Sequence, residues 1–179
     1  HEDWDYINSF PAQPDGWQKL RDNIYMAPRG HRWEWEGTSF VGLGGAPSVD
    51  RSWRVAQQGA KKFLWWPEEA ITEADVKKVV DGGYADVMVG HDAPFVPGIE
   101  KMIGHNPHGF KIEDIAYARE GRALMDEAFQ GVKPKFFFHG HYHFLVNEML
   151  DDTHVLGLCC NNNNYSLGHF DLGKQTATA

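Results

Sequence analysis

The sequence has few cysteines, no long apolar stretch and no excess of basic residues. Its two cysteines, Cys159 and Cys160, are adjacent, and neighbouring cysteines rarely satisfy disulfide geometry with each other. This spacing excludes a secreted scaffold held by disulfides and predicts a reducing, cytoplasmic location. No apolar run approaches the roughly 20 residues of a membrane span. The acidic opening His-Glu-Asp-Trp-Asp is unlike a signal peptide, so we expect no membrane partner.

The balance of charge limits the classes of ligand. With 17 Lys and Arg against 25 Asp and Glu, the formal net charge is −8. A protein that follows a long nucleic-acid backbone needs a basic face, so extended nucleic-acid binding is not expected. A small phosphate ester remains compatible, because bound metal ions can supply local positive charge. The length of 179 residues predicts one domain, residues 1–179.

Apolar patterning and turn residues predict a layered α/β domain. Two short apolar runs, 85–89 and 135–138, do not alternate with polar residues, as is typical of strands covered on both faces. A helix is predicted before each run, one opening with capping-box spacing at Thr72 and one over 112–129. A short helix is predicted over 15–21. Further strands are expected at 24–27, 32–36, 39–43, 144–149, 154–158 and 165–172.

Both of the buried-looking strands run into a Gly-His sequence. His91 follows the first strand, and His141 and His143 follow the second in the sequence Gly-His-Tyr-His. Ligands of open α/β sheets gather at the carboxyl ends of the strands, so we expect these three imidazoles to converge. Imidazoles with carboxylates suit Zn, Mn, Fe or Ni. One Gly-His alone is more often an ordinary loop histidine, and for His139 packing is favoured over ligation.

Several other residues have two interpretations. Trp33 and Trp35 alternate with glutamates, which indicates either packing or a base-stacking surface. Arg51 and Arg54 follow a glycine-rich loop and would either reach a phosphate or join surface ion pairs. In each case the structural alternative is favoured. The structural alternative is also favoured for two further histidines with candidate roles near the site, His105 and His108. For Asp92, an ordinary loop residue and a residue that orients a metal ligand are equally favoured.

The order of these motifs resembles the calcineurin-like metallophosphoesterases of bacteria and phages. That family has Asp-x-His, Gly-Asp-x-x-Asp, Gly-Asn-His-Asp/Glu, a lone Gly-His and finally Gly-His-x-His. The opening His1-Glu2 matches the end of the third motif, and the Gly-His sequences at His91 and His141 match the last two. The stretches at 65–69 and 90–94 are also similar, so the resemblance covers essentially the whole chain.

The resemblance implies a layered α/β/β/α sandwich and a dinuclear site for two divalent transition metals, Mn, Fe, Zn or Ni. Carried over by position, His91 and His141 would bind one metal and His143 the other, while His1 would be the catalytic histidine. A bridging hydroxide would attack the phosphorus of a small phosphodiester or phosphomonoester, with cyclic nucleotides included. The first two motifs are absent from these residues. The resemblance therefore implies missing N-terminal βα units, supplied in cis or in trans.

Two other functions stay open on the sequence alone. The chain would be a truncated, non-catalytic binding or regulatory module, or an enzyme half that another polypeptide completes. In either case three imidazoles without carboxylates do not hold two metals in the required geometry. We therefore expect the 179-residue chain alone to be inactive or nearly so.

Overall fold

The computed structural model describes residues 3–58 and 64–179. The strands in these ranges are β1 (Gln18–Arg21), β2 (Ile24–Met26), β3 (Arg32–Trp35), β4 (Thr38–Leu43), β5 (Val87–Gly90), β6 (Phe136–His139), β7 (Val146–Leu150), β8 (Thr153–Gly157), β9 (His169–Asp171) and β10 (Thr176–Thr178). The helices are α1 (Trp4–Asn8), α2 (Arg51–Gln57), α3 (Glu73–Asp81), α4 (Pro97–Ile103) and α5 (Ile112–Val132), and a 3₁₀ turn spans Pro67–Glu69.

A six-stranded mixed sheet organises the domain, in the order β3-β4-β5-β6-β8-β7. The four inner strands are parallel, and each edge strand is antiparallel to its neighbour. Leu43 pairs with Gly90, and Val89 pairs with Phe138, so β4, β5 and β6 end at the same edge. The prediction of an α/β domain is confirmed at the level of the fold class.

The apolar core lies between one face of the sheet and helices α3 and α5. The strands contribute fully buried side chains such as Val41, Met88 and Phe137, and α5 contributes Met125 and Phe129. Burial of each large apolar side chain contributes about 1.5–3 kcal/mol relative to exposure. This cluster is what fixes α5 against the strand ends where the histidines lie.

The opposite face of the sheet is covered in part by the β9–β10 hairpin. The Phe170 ring lies 4.9 Å from the Phe136 ring and 5.3 Å from the Phe138 ring, between centroids. Because side chains alternate along a strand, Phe136 and Phe138 point away from the helices while Phe137 points toward them. The non-alternating apolar run is explained by this covering of both faces.

Helix α3 begins as its sequence predicts. The Thr72 side chain accepts from the Asp75 backbone N–H, and the Asp75 carboxylate accepts from the Thr72 backbone N–H at 2.9 Å. This capping box satisfies donors that the first helical turn would otherwise leave unpaired. Helix α5 runs three residues beyond the predicted end and stops at Lys133, whose φ is 52°.

The predicted short helix at residues 15–21 is wrong. Residues Gln18–Arg21 form strand β1, which pairs antiparallel with β2 through a tight turn at Asn23, where φ is 60°. Pairing along the chain outweighed weak local helix propensity there. The predicted strand at 165–172 is shorter, since only His169–Asp171 is extended. Within residues 3–58 and 64–179, no helix combines the length and the apolar character needed to span a bilayer.

Candidate functional site

Two of the predicted metal ligands meet at the carboxyl edge of the sheet. His91 directly follows β5, and His141 lies two residues after β6. Their ring centroids are 5.1 Å apart with an interplanar angle of 65°. The Gly140 backbone N–H donates to the His91 carbonyl at 3.3 Å, so the two loops are also joined through their main chains.

The loop after β6 has an unusual backbone. His141 and His143 have φ values of 68° and 61°, in the left-handed region that L-residues with a Cβ rarely occupy. Each such residue costs roughly 1–3 kcal/mol and persists only where the surrounding contacts hold it. His143 is exposed, and its carbonyl accepts from the Cys159 thiol at 2.7 Å. Strained backbone of this kind clusters at ligand-binding loops.

Burial keeps the imidazole of His141 neutral. It lowers the pKa of His141 to about 3, and the nearby His91 and His143 lower the same pKa further by charge repulsion. His143 therefore lies near enough to act on His141 electrostatically. A neutral imidazole is the form that binds a metal, so no proton has to be displaced from His141 at neutral pH.

His139 belongs to the core rather than to the open edge. It is 4% exposed, and burial lowers its pKa to about 4. Its Nδ1 lies 3.0 Å from the Gly140 carbonyl oxygen, which only accepts, so Nδ1 carries the proton. The ring packs against Gly157, where a Cβ would collide with Cε1 and Nε2. The structure thus agrees with the interpretation that His139 has a packing role.

Asp92 and Tyr142 link the two histidine-bearing loops. The Tyr142 hydroxyl donates to Asp92 Oδ1 at 2.5 Å, and the Ala93 backbone N–H donates to the same atom at 2.8 Å. Asp92 is only 2% exposed, and burial, offset in part by these bonds, raises its pKa to about 6. This buried hydrogen bond joins the two loops.

Arg122 supports this link from helix α5. The residue is 4% exposed. Its guanidinium donates to the Pro94 carbonyl at 2.9 Å and lies 5.5 Å from the centroid of the Tyr142 ring. It also pairs with Glu100. The roles of Arg122 and Tyr142 are not visible in the sequence, because they depend on contacts between residues 20 or more positions apart. The only local signal was the position of Tyr142 between two candidate ligands.

The described residues bring two of the predicted metal ligands together and do not assemble a metal site. Across residues 3–58 and 64–179, no group of three or more His, Cys, Asp or Glu side chains is arranged to hold a metal ion. His91 and His141 form a pair of nitrogen donors suited to Zn, Mn, Fe or Ni, and at least one further ligand is needed. The predicted catalytic His1 lies outside the described residues.

The remaining candidate residues differ in their contacts and in their exposure. Arg54 pairs with Asp50 at 2.8 Å, whereas the Arg51 guanidinium contacts the rings of Trp65 and Tyr117. Trp33 stacks on Phe40 with centroids 5.3 Å apart, which supports packing for this residue. Trp35 is 53% exposed, and the two loop histidines His105 and His108 are also exposed.

Comparison with known proteins gives little beyond the structure itself. No protein-family model matches the chain, and no curated protein matches it. Among solved structures, the chain is similar to one described as "GAP50 the anchor in the inner membrane complex of Plasmodium", with 11% sequence identity and a TM-score of 0.28. The match covers 81% of this chain and 38% of that one. A likeness this weak carries no argument about fold or function.

Proposed function

We propose that the chain contributes the histidine side of a two-metal phosphoesterase. The observation that carries the proposal is the contact between the rings of His91 and His141, 5.1 Å apart at the edge where β5 and β6 end. The resemblance of the motif order to the calcineurin-like metallophosphoesterases assigns the same two residues to one metal. His143 would serve the second metal, and His1 would act at the leaving oxygen.

In such a site the paired metals lower the pKa of water and neutralise charge on the phosphate. The role of this chain would be to present neutral nitrogen donors in fixed positions. Burial keeps His141 unprotonated at neutral pH. The hydrogen bond between Tyr142 and Asp92 fixes the two loops relative to each other, which limits the reorganisation needed when a metal binds.

The proposal requires ligands beyond the histidine pair. Carboxylates from residues outside the described ranges, in this polypeptide or in another, would complete the site and could bridge the metals. The six-stranded sheet would then be one layer of an α/β/β/α sandwich. The substrate class is a small phosphodiester or phosphomonoester. A reducing compartment such as the cytoplasm is consistent with the free thiols of Cys159 and Cys160.

Metal binding by the chain itself tests the ligand assignment. Co²⁺ titrated into the 179-residue protein should give absorption bands of nitrogen coordination, with weak affinity because the ligand set is partial. His91→Ala and His141→Ala should each abolish the bands. His105→Ala is the matched control, since His105 is an exposed loop histidine, and it should leave them unchanged. Bands that survive loss of both His91 and His141 would refute the assignment.

A separate measurement distinguishes catalysis from metal binding alone. If the histidine pair binds metal but no completed form of the protein hydrolyses a phosphate ester, the chain is a binding or regulatory module. If hydrolysis requires a second polypeptide that carries the missing acids, the enzyme is completed in trans. The first outcome would overturn the proposal, and the second would retain it with a different source of ligands.

A further inference from the structure

Arg51 is held in a way that differs from the other arginines near the site. Its guanidinium carbon lies 4.6 Å from the centroid of the Tyr117 ring and 4.9 Å from the centroid of the Trp65 ring. These rings belong to different segments, helix α5 and the stretch before the 3₁₀ turn. Contact with two rings restricts the guanidinium to one plane and leaves its edge of N–H donors available.

No carboxylate among residues 3–58 and 64–179 forms an ion pair with Arg51. Two acids that contact neighbours of Arg51 in the sequence are engaged in other hydrogen bonds. Asp50 accepts from Arg54 at 2.8 Å, and Asp114 accepts from the Ser52 hydroxyl at 2.7 Å. In contrast, Arg29 and Arg122 both have carboxylate partners. Glu69 acts electrostatically on the same Tyr117 ring as Arg51. A half-buried, oriented guanidinium that forms no ion pair within the described part of the chain is suited to an external anion.

The position of Arg51 connects it to the histidine edge. The loop that leads to Arg51 leaves β4 beside the end of β5, because Leu43 pairs with Gly90. Arg51 contacts Tyr117, and Tyr142 contacts Arg122. Tyr117 and Arg122 are five residues apart on helix α5, which is about 7.5 Å along the helix axis. Arg51 thus belongs to the same edge of the domain as the two histidines.

We propose that Arg51 is a phosphate-recognition residue, whose guanidinium binds two oxygens of a phosphate ester at the rim of the histidine site. This inference rests on the proposed function for the identity of the anion, and on the two ring contacts for the binding geometry. The planar fork of an arginine matches two phosphate oxygens, whereas a lysine presents a single point charge.

The test is calorimetric titration of phenyl phosphate into the 179-residue chain in the presence of EDTA, so that metal binding plays no part. The wild type should bind saturably, and Arg51→Met should weaken the affinity by about tenfold or more, because a charge-assisted pair is lost. Arg119→Met is the control, since exposed Arg119 contacts a single ring, that of Phe95, and its affinity should match the wild type. Equal binding by Arg51→Met and the wild type would overturn the proposal.

Two further arms keep the result specific. Arg51→Lys retains the charge and is expected to bind several-fold more weakly, so a Lys variant with full affinity would refute recognition by the fork. Benzoate should bind much more weakly than phenyl phosphate, and equal affinity would refute phosphate as the anion. Because no metal is present, phenyl phosphate binding that does not depend on Arg51 rejects this inference alone. Failure of Co²⁺ binding at His91 and His141 rejects the proposed function alone.

Discussion

Tyr142 joins the two loops that carry the histidines through one buried hydrogen bond to Asp92. Replacement by phenylalanine keeps the ring and its contact with Arg122 but removes the donor. The Asp92 carboxyl, 2% exposed, would then lose one of its two donors. We expect Tyr142→Phe to lower the free energy of unfolding by about 1–3 kcal/mol, measured by urea denaturation. Tyr165→Phe, at an exposed position, should change it little, and equal effects of the two variants would contradict the assigned link.

His139 makes stability depend on pH with a defined sign. Burial lowers its pKa in the folded protein to about 4, below the value of about 6.5 in an unfolded chain. As pH falls from 7 to 4, the unfolded state takes up a proton that the folded state refuses. The stability associated with neutral His139 is therefore present above pH 6.5 and is lost toward pH 4, by up to about 3 kcal/mol.

The difference between wild type and His139→Asn isolates this contribution, because the other titrating groups are shared. The unfolding free energy of the wild type minus that of the variant should decrease as the pH is lowered from 7 to 4. Chemical denaturation at several pH values measures it. A difference that is constant across this range would show that His139 is protonated as readily in the folded protein as in the unfolded chain.

At the scale of elements, helix α5 and the loop after β4 approach closely at one glycine. A Cβ at Gly121 would collide with the ring of Pro47. Alanine favours an isolated helix by about 1 kcal/mol over glycine, but overpacking costs typically 1–3 kcal/mol. We expect Gly121→Ala to be destabilising on balance in thermal unfolding. Gly173→Ala is the control, because its Cβ would meet only ordinary contacts; stabilisation by Gly121→Ala would contradict this packing.

Elements with a local signal could be predicted from the sequence. The capping residues at Thr72 mark the start of α3, and the unbroken apolar runs mark β5 and β6. The short helices α1, α2 and α4 were missed, since five to seven residues give too little periodicity to separate from a loop. Strand β1 was mistaken for a helix because its structure depends on pairing with β2.

The candidate site was predictable to a similar extent. His91 and His141 are marked by glycines at strand ends, and the sheet register brings their rings together. The partners that hold them are not marked, because Asp92 and Tyr142 are 50 residues apart. The sequence also left Arg51 and Arg54 equivalent. Only the folded chain separates them, by giving Arg54 an acid and Arg51 two aromatic rings.

At the scale of the whole molecule, the proposed function makes this domain the histidine-bearing part of a metal site. A sheet with aligned strand ends, a helix layer and two linked loops position a histidine pair. The described residues do not assemble a complete ligand set. With a net charge of −8, attraction of a phosphate to this edge would depend on bound metals and on Arg51.

The most direct measurement is Mn²⁺-dependent hydrolysis of a chromogenic phosphodiester. It compares the 179-residue chain with a longer polypeptide that adds the Asp-x-His and Gly-Asp-x-x-Asp segments, each with and without His91→Ala. Turnover is expected only in the longer protein, with a loss of at least about a hundredfold when His91 is replaced. Equal turnover in both proteins, or turnover that is indifferent to His91, would contradict the assignment of the histidine pair to a two-metal phosphoesterase.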